Sequence, residues 1–260
     1  FTHSIGVFCV ARQIFNKLVE INPNFEKNRF IVYGAALLHD LGHGPLSHTS
    51  EEIFEHNHEK WSKSLINDYS PINSILKKFG NEIPKNIAEL FSSKNLISHP
   101  TKTLISSEID CDRLDYLLRD SYNTGTKYGL VDLERIISAL TFSPDEGIAI
   151  KPKGVIAIEH FLVLRNIMYR TIYNHRINEI SSWILENIIK LIRNGLKDKV
   201  WIDKSLFNWI FSFEDLSFDD FLANDDVRLG YHLMRWKEEA PEPLSTLCKM
   251  FIDRQLLKAT

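Results

Sequence analysis

Between His3 and about Val19 the residues Ile5, Val7, Phe8, Ala11, Ile14, Phe15 and Leu18 recur three and four apart, the repeat of an α-helix burying one broad face. The same rhythm runs through most of the chain, so the sequence predicts a mainly α fold. The stretch from Phe30 to Leu38 is apolar on every side, as in a helix buried in the middle of a domain, and Gly34, Ala35 and Ala36 let neighbouring helices approach closely. It runs into His39-Asp40 and must stop near Gly42-His43-Gly44-Pro45. A new helix is expected from Pro45, carrying Ser47 to Phe54.

Residues 60 to 106 read as shorter helices separated by Pro71, Gly80, Pro84 and Pro100. Helices are expected over Asp112–Tyr122 and Asp132–Leu140. The one strand signal is Leu140 to Lys151, a β-hairpin turning at Ser143-Pro-Asp-Glu-Gly147. Two long helices follow, over Val155–Tyr173 and Arg176–Leu196, and then shorter ones around Phe207, Phe218–Leu222, Val227–Trp236 and Leu244–Leu257.

With 260 residues, 44% of them hydrophobic, the chain can build one large core, or a core and a small lobe. A net charge of −3 gives no general basic field, so nucleic acid is not expected as the main partner. Cys9, Cys111 and Cys248 are too few and too scattered for a disulfide framework or a metal knuckle, which points to a reduced, cytoplasmic setting. No apolar run approaches the roughly 18 residues of a membrane-spanning helix. The chain begins at Phe1 and reads as a stretch of a longer protein.

A short segment holds His39, Asp40, His43, His48 and His58. His39 closes a helix, where outward-pointing carbonyls favour a cation. A neighbouring His and Asp at such an end can offer a nitrogen and an oxygen to one metal, which is hard in mid-helix because successive side chains diverge. For the pair taken alone, an imidazole bonded to its own aspartate is the simpler account. On a helix Asp112, Tyr116 and Asp120 share a face that Arg113 borders, while Leu114, Leu117 and Leu118 bury the other side. A solvated, salt-bridged surface explains those charges equally well.

Taken in order, His3-Ser-Ile-Gly-Val7, His39-Asp-Leu-Gly-His-Gly-Pro-Leu-Ser-His48, His58-Glu59 and Ile109-Asp-Cys-Asp-Arg-Leu-Asp-Tyr-Leu-Leu-Arg-Asp120 resemble the HD superfamily. More narrowly they resemble its deoxynucleoside triphosphate triphosphohydrolases, the bacterial dGTPases and the SAM-and-HD-domain dNTPase. Arg165-Asn-Ile-Met-Tyr-Arg-Thr-Ile-Tyr-Asn-His-Arg176 is similar to that branch's later substrate helix. The resemblance implies an HD helical bundle with a small hairpin and extra C-terminal helices. Residues 1–140 would form the catalytic core, and 141–260 would complete the substrate pocket and a C-terminal helical lobe, in one continuous domain.

Residue by residue, the resemblance assigns His3, His39, Asp40 and Asp112 as ligands of one divalent ion, with Asp112 preferred to Asp110. Such a nitrogen–oxygen set suits iron, manganese, nickel or zinc, and magnesium less comfortably. His48 becomes the general acid for the leaving 5′-oxygen. Glu51, three residues on, shares a helical face with His48 and would hold its ring and raise its pKa. His43 and His58 are placed on phosphate. Arg113 is matched to phosphates, Arg165 to the triphosphate tail, and Tyr116 and Asp120 to the sugar, with Asp120 accepting from a 3′-hydroxyl. Tyr173 is matched to an aromatic that excludes a 2′-hydroxyl. Arg165, Tyr169 and Tyr173 fall four apart on one helix face, although a packing stripe accounts for Tyr169 as well.

The implied reaction splits a deoxynucleoside triphosphate into deoxynucleoside and triphosphate through attack on the α-phosphorus. A nucleotide activator and a homo-oligomer are implied by analogy. The family's arginine ahead of the Phe-Thr-His start lies outside this chain, and the short interval from His48 to His58 implies a trimmed lid. Two other functions fit the same motifs: an HD phosphohydrolase of a nucleoside monophosphate, cyclic nucleotide or phosphodiester, and a nucleotide sensor of low turnover.

Overall fold

The computed structural model of the chain describes residues 1–54, 56–91, 100–143 and 147–257. In chain order its first helices are α1 (Thr2–Ile21), α2 (Arg29–Leu38), α3 (His48–Phe54), α4 (His58–Asp68), α5 (Ser70–Lys77) and α6 (Ile83–Leu90). Then come α7 (Pro100–Ile105), α8 (Cys111–Thr124), α9 (Leu133–Ala139) and the strands β1 (Leu140–Ser143) and β2 (Gly147–Ile150). The remainder holds α10 (Val155–Met168), α11 (Arg176–Leu191), α12 (Lys204–Phe211), α13 (Phe218–Leu222), α14 (Asp226–Glu239) and α15 (Leu244–Ile252). The fold is mainly α, with one two-stranded antiparallel hairpin among the described residues. No helix there is long and apolar enough to cross a membrane.

Tertiary contacts divide the chain into two compact units that are not continuous in sequence. The first comprises Phe1–Gly42 and Glu59–Ile172, and the second His43–His58 and Tyr173–Thr260.

In the first unit α1 buries Val7, Val10, Ala11, Ile14, Phe15 and Leu18 and packs against both α2 and α8. Gly34 sits where α2 meets α6, and a β-carbon there would fall 2.4 Å from Ile87 Cδ1. The expectation that α2 is buried on every side does not hold. It buries Val32, Ala35 and Ala36 toward its neighbours, while Phe30 and Leu37 are 47% and 40% exposed. Phe30 instead packs on Phe79 at the surface, with ring centroids 4.9 Å apart.

Prolines mark helix starts, because the first turn needs no proline N–H: Pro71 in α5, Pro84 in α6 and Pro100 as the first residue of α7. The Asp110 side chain caps α8 by accepting from Arg113 N at 2.8 Å, and Gly125 ends the helix in the left-handed region at φ 72°. The hairpin pairs Leu140 with Ile150 and Ser143 with Gly147. Its expected turn at Pro144, Asp145 and Glu146 lies outside the described residues, as do residues 92–99 of the short-helix stretch. The helix expected over Val155–Tyr173 ends as an α-helix at Met168 and continues as a π-helical turn over Tyr169–Tyr173.

In the second unit, α11 and α14 pack on α15 around Ile184, Leu185, Ile188, Leu229, Leu233 and Leu244. Trp209 and Trp236 are fully buried and keep their indole N–H groups satisfied by the carbonyls of Asp220 and Trp201. The helix expected from Pro45 begins later, at His48. Leu46 and Ser47 lie in the left-handed region at φ 61° and 50°, which no α-helix can include. That costly backbone is pinned by Leu46 N–H donating to Asp226 Oδ1 at 2.7 Å and Ser47 N–H donating to Gly44 O at 3.0 Å. Gly44 itself is forced, since a β-carbon would lie 2.4 Å from Trp209 Cη2.

Candidate functional site

Three helices of the first unit bring four expected ligands together. His3 lies in the first turn of α1, His39 caps the C-terminus of α2 with Asp40 next to it, and Asp112 lies in the first turn of α8. His3 Nε2 is 2.9 Å from Asp112 Oδ1, 3.4 Å from Asp40 Oδ2 and 3.3 Å from His39 Nε2. His39 Nε2 is 3.1 Å from Asp40 Oδ1 and 3.6 Å from Asp112 Oδ1. One atom each of His3, His39 and Asp112 lie within 4.8 Å of one another, close enough to share an ion.

The outer nitrogens settle how these rings are used. His39 Nδ1 lies 3.0 Å from Ala36 O, and His3 Nδ1 lies 2.8 Å from Asp115 Oδ2. A carbonyl and an ionised carboxylate only accept, so both Nδ1 atoms carry the hydrogen. In the neutral rings both Nε2 lone pairs therefore point at each other and at carboxylate oxygens, which is repulsive unless a cation or protons lie between. This donor set fits a divalent metal, with outer partners already fixing the tautomers.

Without a metal, protons take that place. Burial pulls the His39 ring down, but hydrogen bonds to Asp112 and Asp40 and their negative charge prevail, and its pKa is raised to about 10. His3 is likewise lowered by burial and raised more by Asp112, Asp115 and Asp40, to about 9. Burial raises Asp112, and its bonds from His3 and His39 outweigh this to hold it at about 2.

The sequence reading passed over Asp115, Arg119 and Gly6. Asp115 is 7% exposed and takes Arg119 Nε and Nη2 at 2.7 and 2.9 Å. The spacings 112/115 and 115/119 on α8 carried that signal; Gly6 had none. Asp110, set aside as a ligand, is occupied by capping and by the Arg113 side chain.

Of the expected substrate residues, Arg113, Tyr116 and Asp120 lie on α8, Arg165 is near the end of α10, and Tyr169 opens the π-helical turn. Tyr116 and Tyr169 hydroxyls are 3.3 Å apart, and burial with that hydrogen bond raises the Tyr116 phenol, keeping it neutral. Arg165 pairs with the exposed Glu108 and lies 5.7 Å from the Tyr169 ring centroid. The expected four-residue spacing fails beyond Tyr169, because the π-helical turn advances fewer degrees per residue and carries Tyr173 off the α-helical register.

The second unit gathers His43, His48, Glu51 and His58. Glu51 Oε1 accepts from His58 N–H at 2.7 Å and from His58 Nδ1 at 2.5 Å, and its Oε2 from His48 Nδ1 at 3.1 Å. Burial raises this carboxyl, but the bonds from both histidines lower it to about 2, so it is ionised and accepts only. One carboxylate thereby orients two imidazoles and leaves both Nε2 atoms available. His43 stacks on His58 at 4.2 Å between centroids. His48 and Tyr173 both line a cavity of about 650 Å³ that also carries Trp183 and Glu179. His56, also passed over in the sequence, is buried among Trp209, Phe213 and Phe221, and burial lowers its pKa.

Comparison with known proteins gives a consistent picture. The HD domain model matches residues 1–120, and the HD-associated region model matches residues 131–259. The protein YwfO of Bacillus subtilis is 34% identical over 260 residues, which cover 99% of this chain and 60% of that protein. A relative in Dictyostelium discoideum named deoxynucleoside triphosphate triphosphohydrolase SAMHD1 homolog is 26% identical over 211 residues, covering 71% of this chain and 38% of that one. A phosphohydrolase crystal structure from Bacteroides thetaiotaomicron superposes with a TM-score of 0.81 at 27% identity, covering 98% of this chain and 64% of that one. The chain thus spans about 60% of the length of the first of these relatives.

Proposed function

The chain belongs to the HD-domain family, an HD domain followed by its associated region, and from that premise we propose that it hydrolyses deoxynucleoside triphosphates to deoxynucleoside and triphosphate. The observation that carries this reading is the convergence of two imidazoles and two carboxylates from three helices, with both outer nitrogens tied. His3, His39, Asp40 and Asp112 would hold the divalent ion, which when bound would supply polarisation of a phosphoryl oxygen and of a water.

The remaining steps fall to side chains of this chain. Water oxygen bonds to the α-phosphorus and gives up a proton to solvent as the bond from that phosphorus to the 5′-oxygen breaks. His48 gives the leaving oxygen its proton, with Glu51 holding the ring by Nδ1 so that Nε2 faces outward, and later recovers its own proton from solvent. His43 and His58 bind phosphate oxygens. Arg113 and Arg165 neutralise the triphosphate, for which Arg165 must exchange its bond to Glu108. Asp120 accepts from a 3′-hydroxyl, Tyr116 lies against the sugar with Tyr169 holding its hydroxyl, and Tyr173 excludes a 2′-hydroxyl. The deoxynucleotide substrate is supported by the relative of that name and by these residue matches.

One observation favours a second reading. His43, His48, Glu51 and His58 also offer four ligand atoms within 4.8 Å of one another, so a second cation held there would favour an HD phosphohydrolase of monophosphates or phosphodiesters. Product analysis over all dNTPs and NTPs, with metal content measured on the same sample, decides. Triphosphate release with one metal per chain supports the first reading. Inorganic phosphate from monophosphates, or two metals with phosphodiester cleavage, replaces it with the second.

A further inference from the structure

A metal-binding histidine presents one nitrogen to the ion, so whatever holds the other nitrogen decides whether the ring is ready. His39 needs nothing remote, since Nδ1 donates to Ala36 O in its own helix. His3 differs. It lies in the first turn of α1, and the hydrogen-bond partners of its ring come from outside that helix. Its Nδ1 instead reaches Asp115, 112 residues away on α8. We propose that Asp115, clamped by Arg119, is the positioning residue that orders His3 before the ion arrives, and that Gly6 exists to admit this pair.

Three features support the assignment, which rests on the metal reading of the site. Asp115 is buried and is gripped on both oxygens by one guanidinium, Nε to Oδ2 at 2.7 Å and Nη2 to Oδ1 at 2.9 Å, so the carboxylate cannot rotate away from His3. The pair is neutral overall. It supplies geometry without adding charge to a donor set whose two carboxylates already balance a dication. Gly6, one turn along α1 from His3, leaves the space it needs: a β-carbon there would fall 1.9 Å from Asp115 Oδ1 and 2.2 Å from Arg119 Nη2. Helix α8 therefore supplies a ligand, Asp112, and three residues on, the group that aims a ligand of α1.

The test is Mn²⁺ titration by calorimetry of the whole chain and its variants at one pH, with the thermal midpoint of each metal-free protein measured alongside. Asp115→Ala is expected to weaken Mn²⁺ about 10- to 100-fold, the usual effect of losing an outer partner. Asp115→Asn, which keeps an acceptor for His3 and guards against a variant that fails to fold, should lose less. Gly6→Ala should weaken Mn²⁺ without touching a ligand. A purely structural role lowers the midpoint and leaves affinity alone, so a folded Asp115→Ala variant binding within threefold of wild type, or an Asn variant binding no better than Ala, overturns the proposal. Absence of Mn²⁺ binding by the wild-type chain would instead overturn the metal reading, and this inference with it.

Discussion

Removing the metal should reverse the response of this protein to alkali. In the metal-free chain His3 and His39 hold protons up to about 9 and about 10, against 6.5 for an unperturbed imidazole. A group whose folded pKa is raised contributes stability that is complete below the unfolded value and is lost as pH climbs through the folded one. The window therefore runs from 6.5 upward. Each proton retained by the folded state costs about 1.4 kcal/mol per pH unit within it. Raising the pH by two units from 6.5 removes about 3 kcal/mol for one retained proton. Because the two rings share Asp40 and Asp112, their effects overlap and do not simply double.

At roughly 2–4 °C per kcal/mol for a chain of this size, the metal-free midpoint should fall by about 5–10 °C over those two units. With Mn²⁺ the sign changes. Binding expels the same protons, so affinity rises about tenfold per pH unit for each one, and stabilisation by excess ion grows with it. Calorimetric melts with chelator and with Mn²⁺, for wild type and His39→Ala, isolate the effect from other titrating groups. If the metal-free wild type and His39→Ala follow parallel lines with pH, His39 does not retain its proton through this window and the reasoning fails.

His39→Ala should abolish Mn²⁺ binding and hydrolysis together, as metal analysis and turnover on one sample would show; retained activity would remove the proposed centre. His48→Ala should keep the metal and lower kcat about 10²–10⁴-fold, the range for a lost general acid, with little change in Mn²⁺ affinity. Glu51→Gln should also lower kcat, because an amide cannot serve as the ionised acceptor shared by His48 and His58. Glu108→Gln frees the Arg165 guanidinium and should lower the KM for dNTP by at most about fivefold, the scale of an exposed ion pair; a higher KM would mean that Glu108 positions the arginine.

Much of the fold was legible because it is local. Apolar spacing fixed α1, α8 and α14, and capping and proline rules set many of their ends. What failed depended on neighbours. The apolar run of α2 could not reveal that only Val32, Ala35 and Ala36 meet other helices. The left-handed Leu46 and Ser47 are held by Asp226, a residue 180 positions from Leu46, and no local propensity predicts them. The π-helical turn at Tyr169–Tyr173 broke a register that the sequence continues without interruption.

The candidate site divides along the same line. Spacing alone offered a His-Asp pair at a helix end and an Asp–Tyr–Asp face, and it was the family resemblance that named His3, His39, Asp40 and Asp112 as donors. Spacing left open whether His39-Asp40 was an isolated pair and whether the α8 charges were a solvated face. Only the packing of α1 on α2 and α8 decided that the imidazole nitrogens of His3 and His39 stand 3.3 Å apart. That packing also made Asp115 the partner of His3 and Gly6 the gap that admits it. Spacing along a chain encodes which side chains share a helix face; which faces meet is set by the shape of the buried surfaces, and that is a property of the folded chain.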